Sequence, residues 1–245
     1  MFLNHWPFFV LTFCFFIHFS NNLRAQDTST ADFQSWNDVT LIHHLNEKWR
    51  FSGDLGIRGI FTTKDWTQLY ARPTMVRRLT PSLDARAGVS IFQTWNKQLP
   101  NQTELRFHQE VNLKWPYVAG FIFKHMVRFE ERFFFNQGFE NDFSFRVRYR
   151  PWMETPDFRL IGKEKKMYGI ASIDLFFPLG NSASELFVNN YRIIAGIGHR
   201  TSEKLRIELH YFWQRSKAFT DEGFKTSENV LRVRFFLQLN EPPGK

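Results

Sequence analysis

The chain has 245 residues, of which 43% are hydrophobic and 18% aromatic, and its formal net charge is +8 at pH 7. Its mean hydropathy is -0.38, so we expect no transmembrane helix beyond the N-terminal segment. A sequence pI near 9.7 would suggest nucleic-acid binding in a soluble protein, but the placement of the charges along the predicted strands argues against that interpretation.

The N-terminal segment has the pattern of an export signal. An apolar run from Phe8 to Phe19 has the length of a signal-peptide core, and a plausible cleavage site follows at Ala25. We therefore predict a signal peptide over residues 1–25 and one mature domain over residues 26–245. A retained membrane anchor is the competing interpretation, because no Lys or Arg precedes the apolar run.

Cys14 is the only cysteine of the chain and lies within the predicted signal core. The predicted mature chain therefore has no thiol, which excludes disulfides, cysteine-ligated zinc and a cysteine nucleophile. An exported, thiol-free chain rich in strands is typical of a bacterial outer envelope.

The remaining sequence divides into eleven strand-like segments with alternating side chains. The clearest runs from Thr103 to Trp115, where odd-numbered residues are mainly apolar and even-numbered residues are charged or strongly polar. Because successive side chains of a strand point to opposite faces, each such segment has one apolar and one ionic face. The apolar residues fall mainly on odd numbers from Trp49 to Leu239.

Short turns and longer polar links alternate between these segments. Short turns are predicted at 45–48, 79–82, 115–117 and 201–203, and longer links around 62–66, 96–102, 136–141, 178–184 and 216–226. Short turns at one end of the strands and long loops at the other are typical of an outer-membrane barrel. The segment from Pro151 to Lys166 does not fit, because it is a long insertion at a predicted short-turn end.

The apolar faces of the strands would contact a protein core in a soluble sandwich, or lipid in a membrane barrel. Aromatic residues near the strand ends favour the barrel, since they would form interfacial girdles. The predicted girdle comprises Trp49, Trp95, Trp115, Phe133, Tyr149 and Trp213. We predict an all-β fold, a single antiparallel transmembrane β-barrel with short periplasmic turns and longer external loops.

The strand number is expected to be even in a single-chain bacterial barrel, whereas eleven segments are counted. The first segment, from Phe33 to Leu45, has the weakest alternation. Either residues before it supply another strand, giving twelve, or it lies apart from the wall, leaving ten. We predict about twelve.

The chain resembles an outer-membrane β-barrel family known as domain of unknown function 2490. The resemblance lies in the segments from Trp36 to Trp49, Asn190 to Gly198 and Leu205 to Gln214. It extends over nearly the whole predicted mature chain. It implies an outer-membrane barrel of unassigned function, and it supplies no catalytic residues.

Even-numbered positions would face the lumen of such a barrel. We count seventeen basic and eight acidic residues there, so nine cations remain even if every acid is paired. Unpaired buried charge is costly, so we expect water or bound anions in part of the interior. The predicted lumen-lining charged network comprises Glu104, Arg106, Glu110, Arg128, Glu130, Arg132, Arg146, Arg148, Arg232 and Arg234.

Two interpretations of this charged, hydrated lumen remain open. In one, arginines and carboxylates form a lattice that holds the wall of a structural barrel together. In the other, the lumen is a narrow path that prefers anions, since rings of Arg and Lys attract them. Arg146, Arg148, Arg232 and Arg234 would then be the selective residues.

The predicted register of one hairpin can be tested directly. If its turn centres on Val118, Glu104 lies opposite Arg132 and Arg106 lies opposite Glu130. A two-residue slip would place Arg106 opposite Arg128, which is repulsive.

An outer-membrane lipid-modifying hydrolase is the enzymatic alternative. It would need a nucleophilic serine beside a histidine, and we identify no serine at cross-strand distance from His125 or His199, which have outward parity. Adjacent His43 and His44 would point to opposite faces and could not chelate one ion. We therefore predict a non-enzymatic protein with no catalytic residues, no metal and no cofactor.

The predicted partners are outer-membrane lipid and, during insertion, the barrel-assembly machinery. The usual signal for that machinery is a terminal aromatic residue, and Phe235 and Phe236 lie near the end, although the last six residues are polar. Nucleic-acid binding is not expected, because the aromatic and cationic residues of segment 143–148 would occupy opposite faces. The predicted location is the bacterial outer membrane, after signal-peptide removal.

Overall fold

The computed structural model describes residues 33–60, 65–97, 99–138, 140–160, 166–179, 187–218, 226–241 and 243. The predicted signal peptide lies outside these residues. The described chain is built from β1 (Phe33–His44), β2 (Trp49–Ile60), β3 (Trp66–Arg72), β4 (Thr74–Thr80), β5 (Leu83–Asn96), β6 (Gln102–Lys114), β7 (Ile122–Asn136), β8 (Asp142–Glu154), β9 (Met167–Leu179), β10 (Phe187–Arg200), β11 (Leu205–Ala218) and β12 (Thr226–Gln238). Within that part of the chain, no helix has the length and apolar character needed to cross a membrane.

All twelve strands belong to one sheet, which closes into a barrel because β1 pairs with both β2 and β12. Every other pair of neighbouring strands is antiparallel. β1 and β12 run parallel, from Phe33 opposite Asn229 to Ile42 opposite Gln238. The predicted all-β barrel of about twelve strands is thus confirmed, with one parallel pair in an otherwise antiparallel wall. The sequence left open whether the first segment belongs to the wall. The structure shows that this segment, β1, closes the barrel.

The twelve strands occupy only eleven positions in the wall. Strands β3 and β4 both lie between β2 and β5, and Pro73 separates them. Proline has no N–H to donate to a ladder, so it interrupts the strand. Across from it, a Cβ on Gly88 would collide with the Pro73 carbonyl oxygen, so only glycine fits there. The expectation of an even number of positions was wrong, because a parallel closing pair requires an odd number.

Because β1 and β12 run parallel, the beginning of β1 and the end of β12 lie at opposite ends of the barrel. We call the end where β1 begins the N-terminal end, and the end where β12 finishes the C-terminal end. Connections at the C-terminal end include the two-residue turn Pro81–Ser82. Two others there are longer, Trp115–Phe121 and Thr155–Lys166. The predicted insertion from Pro151 to Lys166 was therefore too long, since its first four residues continue β8.

Side chains alternate between the two faces of the wall as the sequence predicts. Even-numbered residues point inward, so that Glu130 and Asp174 are fully buried. Odd-numbered residues point outward, and apolar side chains such as Leu55, Ile91 and Val127 remain about half exposed. The barrel therefore has an ionic interior and an apolar outer surface, the reverse of a soluble domain.

The parallel closure predicts a specific pattern of disulfide cross-links. In a Cys14→Ser background, the pair Ser35→Cys with Leu231→Cys should oxidise, and so should Leu41→Cys with Leu237→Cys, because each pair is directly opposed on the outer face. The exchanged pair Ser35→Cys with Leu237→Cys should not. Mass spectrometry of oxidised protein would detect the linked peptides. Cross-linking of the exchanged pair alone would indicate an antiparallel closure instead.

Candidate functional site

The interior is held together by carboxylates that each bind several arginines. Glu130 on β7 is an example, because its side chain contacts guanidinium groups from three strands. Arg106 Nη1 lies 3.2 Å from Glu130 Oε1, Arg146 Nη2 lies 2.6 Å from Oε2, and Arg128 Nη1 lies 3.6 Å from Oε1. The carboxylate links β6, β7 and β8, so it stabilises the wall between them.

Asp174 on β9 has the same role for the next strands of the wall, β8 to β10. Arg148 Nη2 donates to Asp174 Oδ2 at 2.6 Å, and Arg150 Nη2 donates to the same oxygen at 2.9 Å. Arg192 Nη1 approaches it at 3.5 Å. Asp38 on β1 accepts from Arg232 Nε at 2.5 Å, and it also binds Arg234. These bonds join β8 to β10 and β1 to β12.

All ten residues of the predicted charged network lie on the inward face and form ion pairs there. Glu104 accepts from Arg106 Nη2 at 2.6 Å and from Arg132 Nε at 2.7 Å. Glu110 pairs with Arg128 and with Arg86. The lattice interpretation of the lumen therefore has direct geometric support.

The predicted register of the β6–β7 hairpin was wrong. The structure places Arg106 opposite Arg132 and Glu130 opposite His108. The reason lies in the turn, where Ala119 and Gly120 both adopt positive φ and so form its central pair. The turn therefore centres after Val118, the predicted position, and each residue of β6 pairs with a residue two positions further along β7.

The two ion pairs predicted from that register nevertheless form, but diagonally. Arg106 reaches Glu130, and Arg132 reaches Glu104, each across a two-residue offset. A guanidinium side chain is long enough to contact a diagonal neighbour on the same face. The carboxylates therefore separate the directly opposed arginines.

The sequence-based count of eight inward-facing acidic residues left out two that are buried. Glu154 and Glu228 point inward and are 4% and 5% exposed. Glu154 was assigned to a loop, but it ends β8 and accepts from Arg200 Nη2 at 2.6 Å. Glu228 lies next to a predicted link, and the structure places it on β12, where Gln214 donates to it. Both residues have even numbers, and this parity would have identified them as facing inward.

The middle of the lumen is filled by a layer of aromatic rings and two arginines, which the sequence analysis did not predict. We call this the central layer, and it comprises Trp36, Arg58, Tyr70, Phe92, Phe176, Arg192 and Phe212. The Arg58 guanidinium carbon lies 4.2 Å from the centroid of Trp36 and 4.3 Å from that of Tyr70. The Arg192 carbon lies 4.9 Å from the same tryptophan. Such contacts stabilise cations that are removed from water.

The central layer lies between two cavities of the lumen. The N-terminal chamber has a volume of about 120 Å³ and is lined by Glu104, Arg106 and Arg132. The C-terminal chamber has a volume of about 240 Å³ and extends towards Phe236. Trp36, Arg58 and Arg192 line both chambers, so the layer lies at the border between them.

The predicted girdle residues all point outward. Trp49, Trp95 and Trp115 are exposed, whereas Phe133, Tyr149 and Trp213 are half-buried. Tyr149 and Trp213 do not lie at strand ends, because β8 continues to Glu154 and β11 to Ala218. Tyr149 lies on the outer face of β8. It nevertheless belongs to an aromatic cluster with Trp115, since the His125 ring lies 5.6 Å from Trp115 and its Nδ1 lies 2.7 Å from the Tyr149 hydroxyl.

Four histidines of the described residues contact threonine, tyrosine or glutamate side chains, and His125 with Tyr149 is one of these pairs. His108 Nε2 lies 3.2 Å from Thr74 Oγ1, His210 Nε2 lies 2.8 Å from Glu208 Oε2, and His199 lies 3.0 Å from a threonine hydroxyl. Among the residues that the structure describes, no group of three or more His, Cys, Asp or Glu side chains is arranged to hold a metal ion. The predicted lack of a metal, a cofactor and catalytic residues stays a prediction.

A closed sheet with an apolar outer surface and an ion-paired interior defines a β-barrel protein whose lumen is lined by charge. The chain belongs to the family described as Protein of unknown function (DUF2490), whose family model matches residues 33–225. This match confirms the resemblance found in the sequence. No curated protein matches the chain at a significant level.

Proposed function

We propose that this protein is an integral, non-enzymatic β-barrel of the bacterial outer membrane whose lumen is closed by the central layer. The outer surface of the wall carries the proposal. Apolar side chains are exposed around it, from Leu55 on β2 to Leu237 on β12. In water such a surface would drive association, whereas in a bilayer it contacts acyl chains.

The proposed orientation has the C-terminal end of the barrel in the periplasm. Strand β12 finishes there, and the two-residue connection Pro81–Ser82 is of the kind found at periplasmic ends. Aromatic Phe235 and Phe236 near the end of β12 would serve the barrel-assembly machinery as an insertion signal. Because β1 is parallel to β12, Phe33 would then lie at the external end.

The interior supports a structural barrel rather than an open pore. Ion pairs from neighbouring strands fill the lumen, and the rings of the central layer lie between the two chambers. A hydrated ion crossing the barrel would have to displace Trp36 and the two arginines beside it. We therefore expect purified protein to produce no resolvable ion conductance in planar bilayers.

Location and orientation can be tested by labelling single cysteines in a Cys14→Ser background. Asn141→Cys lies in the β7–β8 connection at the proposed external end, and Ser82→Cys lies in the β4–β5 turn at the other end. A membrane-impermeant maleimide should label the first in intact cells. It should label the second only after the outer membrane is permeabilised, because its turn would face the periplasm.

Cell fractionation provides the control for this labelling. The protein should remain with outer membranes through alkaline washing and require detergent for extraction. Recovery of the folded protein from the soluble fraction without detergent would overturn the proposal. If only the Ser82→Cys variant is labelled in intact cells, the barrel has the opposite orientation to the one proposed.

A further inference from the structure

The C-terminal chamber carries far more positive than negative charge. Ten arginines and one lysine line it, against four carboxylates. Three more buried carboxylates, Asp38, Glu130 and Asp174, pair with arginines of this lining. Even with these included, eleven cations face seven acids. A protein interior does not hold such an excess without a counter-charge.

Several of these arginines also have buried N–H groups that make no hydrogen bond in the described protein. These nitrogens are Nη1 of Arg128 and Nε of Arg58, Arg86, Arg148 and Arg206. Those of Arg86, Arg128 and Arg206 lie 3.4 Å, 3.6 Å and 3.4 Å from a carboxylate oxygen, with which they form an ion pair but no hydrogen bond. Arg58 pairs with no carboxylate of the described chain, and its one hydrogen bond goes to Gln68 Oε1 at 3.3 Å. Guanidinium donors that are held in place but unused are suited to bind an oxyanion.

A cationic groove at the C-terminal end of the barrel leads towards this chamber. It has a volume of about 690 Å³, and Lys48, Arg50, Arg78 and Lys114 are among its lining residues. Lys124 lines both the groove and the chamber. Positive charge that is concentrated along an entrance raises the local concentration of anions and speeds their association.

We propose that the C-terminal chamber binds a compact, multiply charged phosphoryl anion that enters from the C-terminal end. A phosphoryl group presents several oxygens to forked guanidinium donors, and one multivalent ligand would offset the excess charge better than a single chloride. The volume of about 240 Å³ suits a small anion with a few ordered waters. This proposal is separate from the proposed location in the outer membrane, because it depends only on the side chains inside the barrel.

The test is calorimetric titration of the full chain, purified in neutral detergent, with sodium pyrophosphate at a constant ionic strength set with chloride. We expect saturable binding of one pyrophosphate per chain. A second titration with short-chain phosphatidic acid distinguishes the source of the anion. Binding of pyrophosphate indicates a free anion, and binding of the lipid alone indicates a lipid phosphate. If neither ligand binds saturably, the proposal is overturned.

The binding variant combines Arg58→Gln, Lys124→Gln and Arg206→Gln. These cations were chosen because their loss leaves no acid without a donor. Glu154 keeps Arg200 at 2.6 Å, and Glu208 keeps the Tyr168 hydroxyl at 2.8 Å. The variant should remain folded, as judged by heat-dependent electrophoretic mobility, and its affinity for the bound anion should fall by about tenfold or more.

The matched control is Arg77→Gln, because this side chain lies on the outer face of β4 and near Trp49 rather than in the lumen. Its affinity for the anion should equal that of the wild type. If the triple variant does not fold, Arg58→Gln alone should still weaken binding several-fold. Unchanged affinity in a folded chamber variant, or an equal loss in the control, would contradict a site in this chamber.

Discussion

The Asp174→Asn variant is expected to lose about 3 kcal/mol or more of its free energy of unfolding. Asp174 is fully buried, and its carboxylate binds Arg148, Arg150 and Arg192. The amide has the same shape but no charge, so three guanidinium groups would face one another without their counter-charge. Urea unfolding of protein refolded in detergent, followed by tryptophan fluorescence, measures the loss.

The control for this variant is Asp157→Asn, which makes the same chemical change at the surface. The Asp157 side chain is 38% exposed and lies 3.3 Å from Arg200 Nε. Exposed ion pairs contribute little, so the variant should lose less than about 1 kcal/mol. Equal losses in the two variants would show that Asp174 does not hold the lattice together.

The Trp36→Ala variant is expected to turn a non-conducting barrel into one that conducts anions. Trp36 is 5% exposed and borders both chambers, and its ring contacts both Arg58 and Arg192. Removal of the indole would join the chambers and leave both arginines facing the new path. Planar-bilayer recordings should show discrete steps that the wild type lacks, with reversal potentials that favour chloride over potassium.

The Trp95→Ala variant removes the same side chain from the outer face, where Trp95 is 43% exposed, and should remain non-conducting. Loss of buried packing at Trp36 should cost about 3–5 kcal/mol of stability, so heat-dependent mobility must first show that the variant is folded. A folded Trp36→Ala barrel without conductance would mean that the central layer is not what closes the lumen. Equal conductance in the wild type would contradict a closed barrel.

The β6–β7 hairpin illustrates what local pattern does and does not determine. Alternation assigned Arg106 and Glu130 to the inner face correctly, because side-chain direction in a strand depends only on the position of each residue. Their register depended on the turn, where Ala119 adopts a positive φ that is uncommon for a residue other than glycine. A shift of two residues preserves the facing of every side chain, so the pattern could not reveal it.

The central layer illustrates the second limit. Trp36 and Arg192 carry the even numbers of the inner face, yet their contact requires β1 and β10, which do not pair in the sheet, to bring side chains together inside the lumen. The stagger of the strands around the barrel likewise determines which arginines reach Asp174 and which reach Glu130. Parity identifies which side chains point inward, but the closed sheet decides which of them meet.

The sequence by itself determined the strands, the two faces of the wall and the inward direction of the charged network, because a period of two is a local property of the chain. Only the tertiary structure decided the eleven positions, the parallel closure by β1 and the place of the central layer at the border of the two chambers. These features arise from pairing between segments far apart in sequence. The hydrogen bonds that join such segments use backbone groups that every residue shares, so composition and alternation carry little information about which strands pair.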